Sequence, residues 1–204
     1  MSHVNAPLLI VLGRAAAVAP ILWLLSGEPP AALATLVVFS LAAASDKLDG
    51  YLARRLRQVT RLGTFLDPLA DKLLIIGTLI ALQGRGLVPA WVVALIVARE
   101  LIVTNLRAIA AARGFSIGAS FYGKAKTVTQ MLATFALLAM LVVPGQLLFD
   151  VAYALLASAV GLTLFSGLDY LAKASWALAG GPVPERWRVP ARAEGQGSIH
   201  GRAR

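Results

Sequence analysis

Cysteine is absent from the 204-residue sequence, and histidine occurs only twice, at His3 and His200. The chain therefore has no disulfide framework and no thiolate metal site, and the scarcity of histidine argues against zinc. Charged residues are also scarce, at 14%, where soluble domains carry roughly 25%. Apolar residues make up 58% of the chain, and the mean hydropathy is +0.76. This composition predicts a single-domain membrane protein.

Acidic residues are few, with 10 Asp and Glu against 19 Lys and Arg, for a net charge of +9. In a soluble protein such an excess would indicate nucleic acid as a partner. In a chain this apolar, it indicates short cytoplasmic loops and anionic lipid headgroups or substrates instead. We therefore expect membrane lipids, and no nucleic acid, as partners.

Six segments are long and apolar enough for the roughly 20 residues that a membrane-spanning helix needs. They run over residues 7–25, 31–56, 62–82, 89–112, 124–143 and 147–171, and Gly and Pro residues separate them. The predicted fold class is all-α, a polytopic membrane protein with six transmembrane helices in residues 1–176. Residues 177–204 are rich in glycine and arginine, which predicts a mostly disordered, basic cytoplasmic tail.

Lysine and arginine occur in alternate connections. The two basic connections carry Arg54, Arg55, Arg57 and Arg61, and Arg107, Arg113, Lys124 and Lys126. The loops of the opposite side carry only Arg85. Because basic loops stay in the cytoplasm, we expect an inner (cytoplasmic) membrane protein with both termini and both basic connections on the cytoplasmic side.

Four aspartates form the most informative pattern. Asp46 and Asp49 share one helix face, and Asp67 and Asp71 share a face of the next helix, because residues three or four apart lie above one another. An acid at the bilayer centre costs about 2.5–3.5 kcal/mol, so a cation between the carboxylates is expected. Carboxylate oxygens bind Mg²⁺ or Mn²⁺, with Ca²⁺ as an alternative.

Small residues interleave with these aspartates, namely Gly50, Ala53 and Gly63. They leave a groove in which a bulky ligand can approach the backbone, and Arg54 is well placed for a phosphate. Two other interpretations stay open. The aspartates can be solvated at the interface, with the arginines only setting topology, and the glycines can mark close helix packing.

The aspartates and their neighbours resemble the signature of the CDP-alcohol phosphatidyltransferase family, D-x2-D-G-x2-A-R-x8-G-x3-D-x3-D. Every fixed position and every gap is matched, by Asp46, Asp49, Gly50, Ala53, Arg54, Gly63, Asp67 and Asp71. The resemblance implies the family's six-helix fold, a site open to the cytoplasm, two Mg²⁺ or Mn²⁺ ions and a homodimer. It also implies that an alcohol attacks the lipid-side phosphorus of a CDP-linked lipid and that CMP leaves.

The same resemblance implies roles for single residues. Asp46, Asp49 and Asp67 match the metal ligands, and Asp71, close to the metals as well, matches the general base. The positions that line the cytidine and diphosphate site are matched by Asp49, Gly50, Ala53, Arg54 and Gly63. These roles agree with elementary chemistry, since phosphoryl-group transfer needs charge neutralisation and a carboxylate to accept the hydroxyl proton.

The downstream sequence is similar to the phosphatidylglycerophosphate synthase branch of that family, which uses sn-glycerol 3-phosphate. The resemblance rests on Arg99–Gly114, Gly123–Thr127 and Ser166–Tyr170. It implies that the acceptor's phosphate is bound by basic residues, with Arg107, Lys124 and Lys126 as first candidates and Arg99 and Arg113 as further ones. For Arg99 and Glu100, pairing with other helices is an equal alternative to a ligand role.

The first helix departs from the branch, with Leu8 and Val11 where an asparagine and a threonine are usual. Three other functions therefore stay open. Two are enzymes of the same family, a cardiolipin synthase that uses phosphatidylglycerol and an enzyme with an inositol-phosphate acceptor. The third is a divalent-cation transporter, which also uses intramembrane carboxylates, although the sequence shows no internal repeat.

Overall fold

The computed structural model describes residues 13, 16–27, 31–56, 61–118, 121–182 and 184–187. The side chains of residues 46–56, 61–71 and 186 lie outside this description. So do the predicted tail beyond Trp187 and the departures at Leu8 and Val11 in the first helix.

The described residues form six α-helices and contain no β-strand. The helices are α1 (Val18–Ser26), α2 (Ala32–Leu56), α3 (Arg61–Gly84), α4 (Ala90–Ala112), α5 (Phe121–Val142) and α6 (Gln146–Leu178). A short 3₁₀ turn, Glu185–Trp187, follows α6. The all-α prediction is thus confirmed for the described part of the chain.

Among the described residues, two helices are long and apolar enough to cross a membrane, α5 and α6. Shorter apolar stretches occur in α2 at Ala32–Ser45 and in α3 at Lys72–Gly84. The charged residues at the C-terminal end of α2 and the N-terminal end of α3 shorten these stretches, and Arg99, Glu100 and Arg107 interrupt α4. The prediction of six membrane spans is therefore not confirmed by length and composition.

Two apolar clusters hold the helices together. The larger one contains buried side chains from all six helices, among them Ile21, Phe39, Leu74, Ile96 and Leu137. The smaller one joins the C-terminal half of α4 to the C-terminal half of α6 through residues such as Val103 and Tyr170. Between helices in a bilayer, such contacts stabilise mainly by close van der Waals packing, because lipid tails are as apolar as these side chains.

A layer of polar residues separates the two clusters. On α4 it lies at Arg99 and Glu100, between Ile96 of the larger cluster and Val103 of the smaller one. On α6 it lies at Thr163 and Ser166, which are 0% and 1% exposed. Buried polar groups are costly unless they are paired, so the contacts within this layer decide what it does.

Helix α1 packs against α3 at Gly77. A Cβ atom at position 77 would lie 2.5 Å from Cγ1 of Val18, closer than side-chain atoms approach one another. Glycine therefore lets the two helices come together here. The contact holds α3, the helix that carries Asp67 and Asp71, against the start of the bundle.

The loop between α4 and α5 is fixed at both ends. Helix α4 ends at Ala112, and two residues later Gly114 has a φ of 81°, which suits glycine. The Phe115 N–H donates to the Ala110 carbonyl at 3.1 Å. The Ser116 N–H donates to the Trp187 carbonyl at 2.6 Å, and Trp187 packs on the smaller cluster. Trp187 thus contacts the helices, while the division of the chain at residue 176 stays a prediction.

Candidate active site

The predicted aspartate site lies at the connection between α2 and α3. Asp46 and Asp49 lie on α2, and Asp67 and Asp71 lie on α3, as their helical spacing predicts. Helix α3 begins at Arg61, so both of its aspartates lie within the helix. The carboxylates themselves, and the side chain of Arg54, lie outside the described part of the chain.

The predicted donor set fits a hard divalent cation by its chemistry. Four carboxylates on two consecutive helices supply oxygen ligands alone, which is the set that Mg²⁺ and Mn²⁺ prefer. Among the side chains that the structure describes, no group of three or more acidic or histidine residues forms a metal site. The ligand roles of the four aspartates therefore stay a prediction.

Lys72, directly after Asp71, is the first residue of α3 with a described side chain. Its ammonium lies 3.1 Å from Oε2 of Glu100 on α4 and donates to Thr104 Oγ1 at 3.2 Å. The Lys72 side chain is 35% exposed. The end of α3 that carries Asp71 is therefore joined to the middle of α4 by an ion pair.

Glu100 is the centre of this polar layer. Oε2 contacts Lys72, while Oε1 accepts hydrogen bonds from the ammonium of Lys126 on α5 and, at 3.1 Å, from Nη1 of Arg99. The Glu100 side chain is 10% exposed and that of Lys126 is 5% exposed. One buried carboxylate thus connects α3, α4 and α5, and three cations surround it.

Arg99 extends from α4 towards α6. Its Nη2 donates to Ser166 Oγ at 3.1 Å, and its Cγ would lie 3.2 Å from a Cβ at position 167, where the sequence has glycine. The Nε atom of Arg99 is buried and has no hydrogen-bond partner among the described residues. Gly167 therefore makes room for the guanidinium, which α6 then holds beside Glu100.

A small recess adjoins the carboxylate. It has a volume of about 40 Å³, enough for roughly three waters. Its polar lining comes from Lys72, Glu100, Lys126, Thr127 and Gln130. Next to it, Gln130 Nε2 donates to Thr163 Oγ1 at 2.9 Å, which ties α5 to α6.

The five basic residues predicted to bind the acceptor fall into two groups. Arg99 and Lys126 meet at Glu100. Arg107, Lys124 and Arg113 are exposed, and none of the described ion pairs includes them.

The exposed residues have other contacts. The Arg107 guanidinium lies 5.8 Å from the centre of the Tyr170 ring, a cation–π arrangement. Nη1 of Arg113 donates to the Leu178 carbonyl at 3.1 Å, at the end of α6. Lys124 and Lys126 lie on different sides of α5, because residues two apart on a helix do not share a face. The structure therefore does not bring all five basic residues together.

A sequence model of the CDP-alcohol phosphatidyltransferase family matches residues 4–165, which include the aspartates and most of the polar layer. The chain belongs to this family. The predicted family and its phosphatidyltransferase activity are thereby confirmed. Enzymes of this family generally use divalent metal ions, in agreement with the carboxylate donor set.

Several relatives are similar over most of the chain. A protein of Bacillus subtilis named CDP-diacylglycerol–glycerol-3-phosphate 3-phosphatidyltransferase is 44% identical over 146 residues, 71% of this chain and 75% of its own length. One of the same name from Pectobacterium atrosepticum is 36% identical over 180 residues, 82% and 93% of the two chains. A Streptomyces coelicolor protein named cardiolipin synthase (CMP-forming) is 37% identical over 132 residues, 62% and 61%.

Sequence reasoning missed three partners in the site of this phosphatidyltransferase. Lys72 and Thr104 were assigned no role, and neither was Ser166 as the partner of Arg99. The pairing of Arg99 and Glu100 with other helices was one of the two interpretations considered, and the structure contains it. A buried acid beside a basic residue within an apolar helix was the available signal, since such an acid needs a cation from another helix.

Proposed function

We propose that this chain transfers the phosphatidyl group of CDP-diacylglycerol to sn-glycerol 3-phosphate, which releases CMP and forms phosphatidylglycerophosphate. The observation that carries the proposal is membership of the family together with the names of the Bacillus and Pectobacterium relatives. The match to the Pectobacterium protein includes 93% of that protein and 82% of this chain, which supports the proposal.

The proposed site uses the aspartates on α2 and α3. Asp46, Asp49, Asp67 and Asp71 would hold two Mg²⁺ or Mn²⁺ ions, which supply charge neutralisation for the phosphates when bound. Together with Asp49, the residues Gly50, Ala53, Arg54 and Gly63 are the proposed binding site for the cytidine and the diphosphate. The small residues leave space beside the helix backbone, and the Arg54 guanidinium suits a phosphate.

The proposed reaction is one displacement at phosphorus. The hydroxyl oxygen of the acceptor forms a bond to the lipid-side phosphorus, and the bond between that phosphorus and the oxygen of CMP breaks. Asp71 accepts the hydroxyl proton, and CMP leaves with the electron pair. The protein contributes mainly by positioning and by electrostatic stabilisation, as is usual in phosphoryl-group transfer.

The acceptor brings a phosphate of its own to the site. Arg107 and Lys124 are exposed and free of described ion pairs, so they are the proposed first contacts for this phosphate, with Arg113 nearby along the chain. Lys126 lines the recess together with Lys72, and Arg99 pairs with the carboxylate of Glu100, which lines the same recess. We propose that Lys126 and Arg99 complete the phosphate site from within the bundle.

The membrane arrangement is also a proposal. Helices α5 and α6 are the strongest candidates for spanning segments, and α1 to α4 would complete a six-span domain over residues 1–176. The basic connections favour an inner-membrane orientation with the active site and both termini on the cytoplasmic side. Residues 177–204 would form a cytoplasmic tail, and two copies of the chain would form a homodimer.

A second candidate is a cardiolipin synthase. The observation in its favour is the Streptomyces relative of that name, together with the apolar Leu8 and Val11 of the first segment. Its acceptor, phosphatidylglycerol, has a phosphodiester in place of the dianionic phosphate of glycerol 3-phosphate. The basic residues on α4 and α5 favour the more highly charged acceptor.

The lipid product distinguishes the two candidates. Purified protein in detergent is given CDP-diacylglycerol, Mg²⁺ and equal concentrations of glycerol 3-phosphate and phosphatidylglycerol, and the lipids are identified by mass spectrometry. We expect phosphatidylglycerophosphate and no cardiolipin, and no product from Asp71→Asn. Cardiolipin as the main product would replace the proposed function with the second candidate.

A further inference from the structure

The ion-pair network on α4 contains a carboxylate that the proposed reaction does not use. We infer that Glu100 is a positioning residue, which holds Lys126 at the acceptor's phosphate and Lys72 beside Asp71. The inference rests on the proposed function, since it assigns Lys126 to the acceptor site. It adds a role for a residue to which the proposed reaction assigns none.

The two oxygens of Glu100 bind different helices. Oε2 lies 3.1 Å from Nζ of Lys72 on α3, and Oε1 accepts from Nζ of Lys126 on α5 and from Nη1 of Arg99. Hydrogen bonds between charged groups are directional and strong when they are shielded from water. The carboxylate therefore sets the distance between the two lysines, which belong to different helices.

Charge counting separates this network from a purely structural ion pair. A buried pair is expected to be neutral, because each uncompensated charge costs several kcal/mol. Among the side chains that the structure describes, Glu100 supplies one negative charge to this network, whereas Lys72, Arg99 and Lys126 supply three positive ones. The excess of positive charge lies beside a recess that Lys72 and Lys126 both line, which is an arrangement that attracts an anion.

The position of Lys72 connects this network to the reaction. Lys72 directly follows Asp71, so its bond to Glu100 fixes α3 against α4 at the level of the candidate base. Glu100 thereby fixes the position of both the base and the lysine that binds the acceptor's phosphate. A displacement of about 1 Å between reacting groups can lower a rate by roughly a hundredfold, so this positioning affects catalysis.

Glu100 itself does not act as a base in this account. Three cations already occupy its two oxygens, and its side chain is only 10% exposed. Neutralising it would have two opposing effects on acceptor binding. It would remove a negative charge near an anion, but three cations left without a counter-charge would move apart, and Lys126 could no longer stay buried. The second effect should prevail, because loss of one partner of a buried pair is among the costliest substitutions.

The test uses Glu100→Gln, Glu100→Asp and, as a matched control, Thr78→Val. Thr78 is a fully buried polar residue on α3 whose hydroxyl bonds only within its own helix, to the Leu74 carbonyl at 2.8 Å. For each variant, KM for glycerol 3-phosphate, KM for CDP-diacylglycerol and kcat are measured with Mg²⁺ in detergent. The melting temperature is recorded in parallel.

We expect Glu100→Gln to raise KM for glycerol 3-phosphate roughly tenfold to a hundredfold, the usual cost of losing a hydrogen bond to a charged group. KM for CDP-diacylglycerol should stay within about twofold, because that substrate binds elsewhere. Glu100→Asp, which keeps the charge, should recover a large part of the loss, and Thr78→Val should bind both substrates as the unchanged protein does. A rise in one KM alone would not result from a residue that only holds helices together.

Three results would overturn the inference. In the first, Glu100→Gln lowers the melting temperature but leaves both KM values unchanged. In the second, both KM values rise equally. In the third, KM for the acceptor falls, which would mean that the carboxylate only opposes an anion.

An error in the proposed acceptor can be distinguished from an error in the role of Glu100. If only another acceptor releases CMP, the proposed function is wrong, and the same KM comparison with that acceptor still judges Glu100. If no acceptor releases CMP, calorimetric titration with inorganic phosphate replaces the kinetics. Weaker phosphate binding by Glu100→Gln than by Glu100→Asp would then support the inference, and equal or absent binding in all variants would contradict it.

Discussion

Lys126 donates a hydrogen bond to Glu100, although the two residues lie on different helices, α5 and α4, and are both buried. Their contact forms part of a polar layer between two apolar clusters of the bundle. In a protein that is 58% hydrophobic, such a layer is costly to maintain. The layer includes Lys72, which directly follows Asp71 in the sequence. The proposed reaction therefore explains why the layer is present, whereas packing alone does not.

Metal removal is the first prediction. Chelation of divalent ions should abolish CMP release, and Mg²⁺ or Mn²⁺ should restore it, because the acidic residues on α2 and α3 are proposed to hold the ions. Asp49→Asn should lower kcat by roughly a hundredfold or more, since a catalytic metal supplies several kcal/mol. Asp150→Asn is the control, because Asp150 lies on α6 and pairs only with Gln146. Full activity after chelation would contradict the metal site.

The second prediction concerns the contact of α1 with α3. Gly77→Ala should destabilise the protein by about 1–3 kcal/mol, because the new methyl group would overlap Val18. Gly161→Ala on α6 is the control. Nothing lies within 4 Å of a Cβ at that position, and the change should stabilise the helix slightly. Thermal unfolding in detergent measures both, and similar effects of the two substitutions would be evidence against the close approach.

Gln130 and Thr163 give a third prediction. Their hydrogen bond is buried, so Thr163→Val should cost about 1–3 kcal/mol because the Gln130 amide loses its acceptor. The double variant Gln130→Leu with Thr163→Val should be more stable than Thr163→Val alone. The coupling is read from the four melting temperatures of a double-mutant cycle. Additive effects would mean that the two side chains do not interact.

The fourth prediction concerns the turn Glu185–Trp187. A protein ending at residue 182 should be less stable than the full chain by about 1–3 kcal/mol, because it loses the Ser116–Trp187 hydrogen bond and the apolar contacts of Trp187. A protein ending at residue 187 keeps both and should unfold at the temperature of the full chain. Equal stability of the two truncated proteins would show that the turn contributes nothing.

The helical arrangement of the aspartates was predictable from sequence, since a spacing of three or four residues reports the same helix face wherever the helix lies. The predicted range of the fourth segment, 89–112, also agrees with the observed helix α4, Ala90–Ala112. Helix α6 continues to Leu178, past the predicted end at residue 171. Bilayer thickness limits a membrane span but not the helix that contains it, and residues 172–178 contain neither glycine nor proline.

The ion-pair network could not be predicted from spacing. Lys72, Glu100 and Lys126 lie on three helices, and their contact depends on how those helices pack. Lys124 and Lys126 were assigned to one site, although their separation of two residues directs one outwards and the other inwards. The contact of Trp187 with the smaller cluster was not predicted, because the glycine and arginine content of the surrounding tail indicated disorder.

The central claim is phosphatidyl transfer to glycerol 3-phosphate, and the release of CMP tests it most directly. The purified protein and Asp71→Asn are each incubated with CDP-diacylglycerol and Mg²⁺, with and without glycerol 3-phosphate, and the initial rate of CMP formation is measured. We expect CMP only from the unchanged protein and only when glycerol 3-phosphate is present. Equal CMP formation without the acceptor, or by Asp71→Asn, would contradict it.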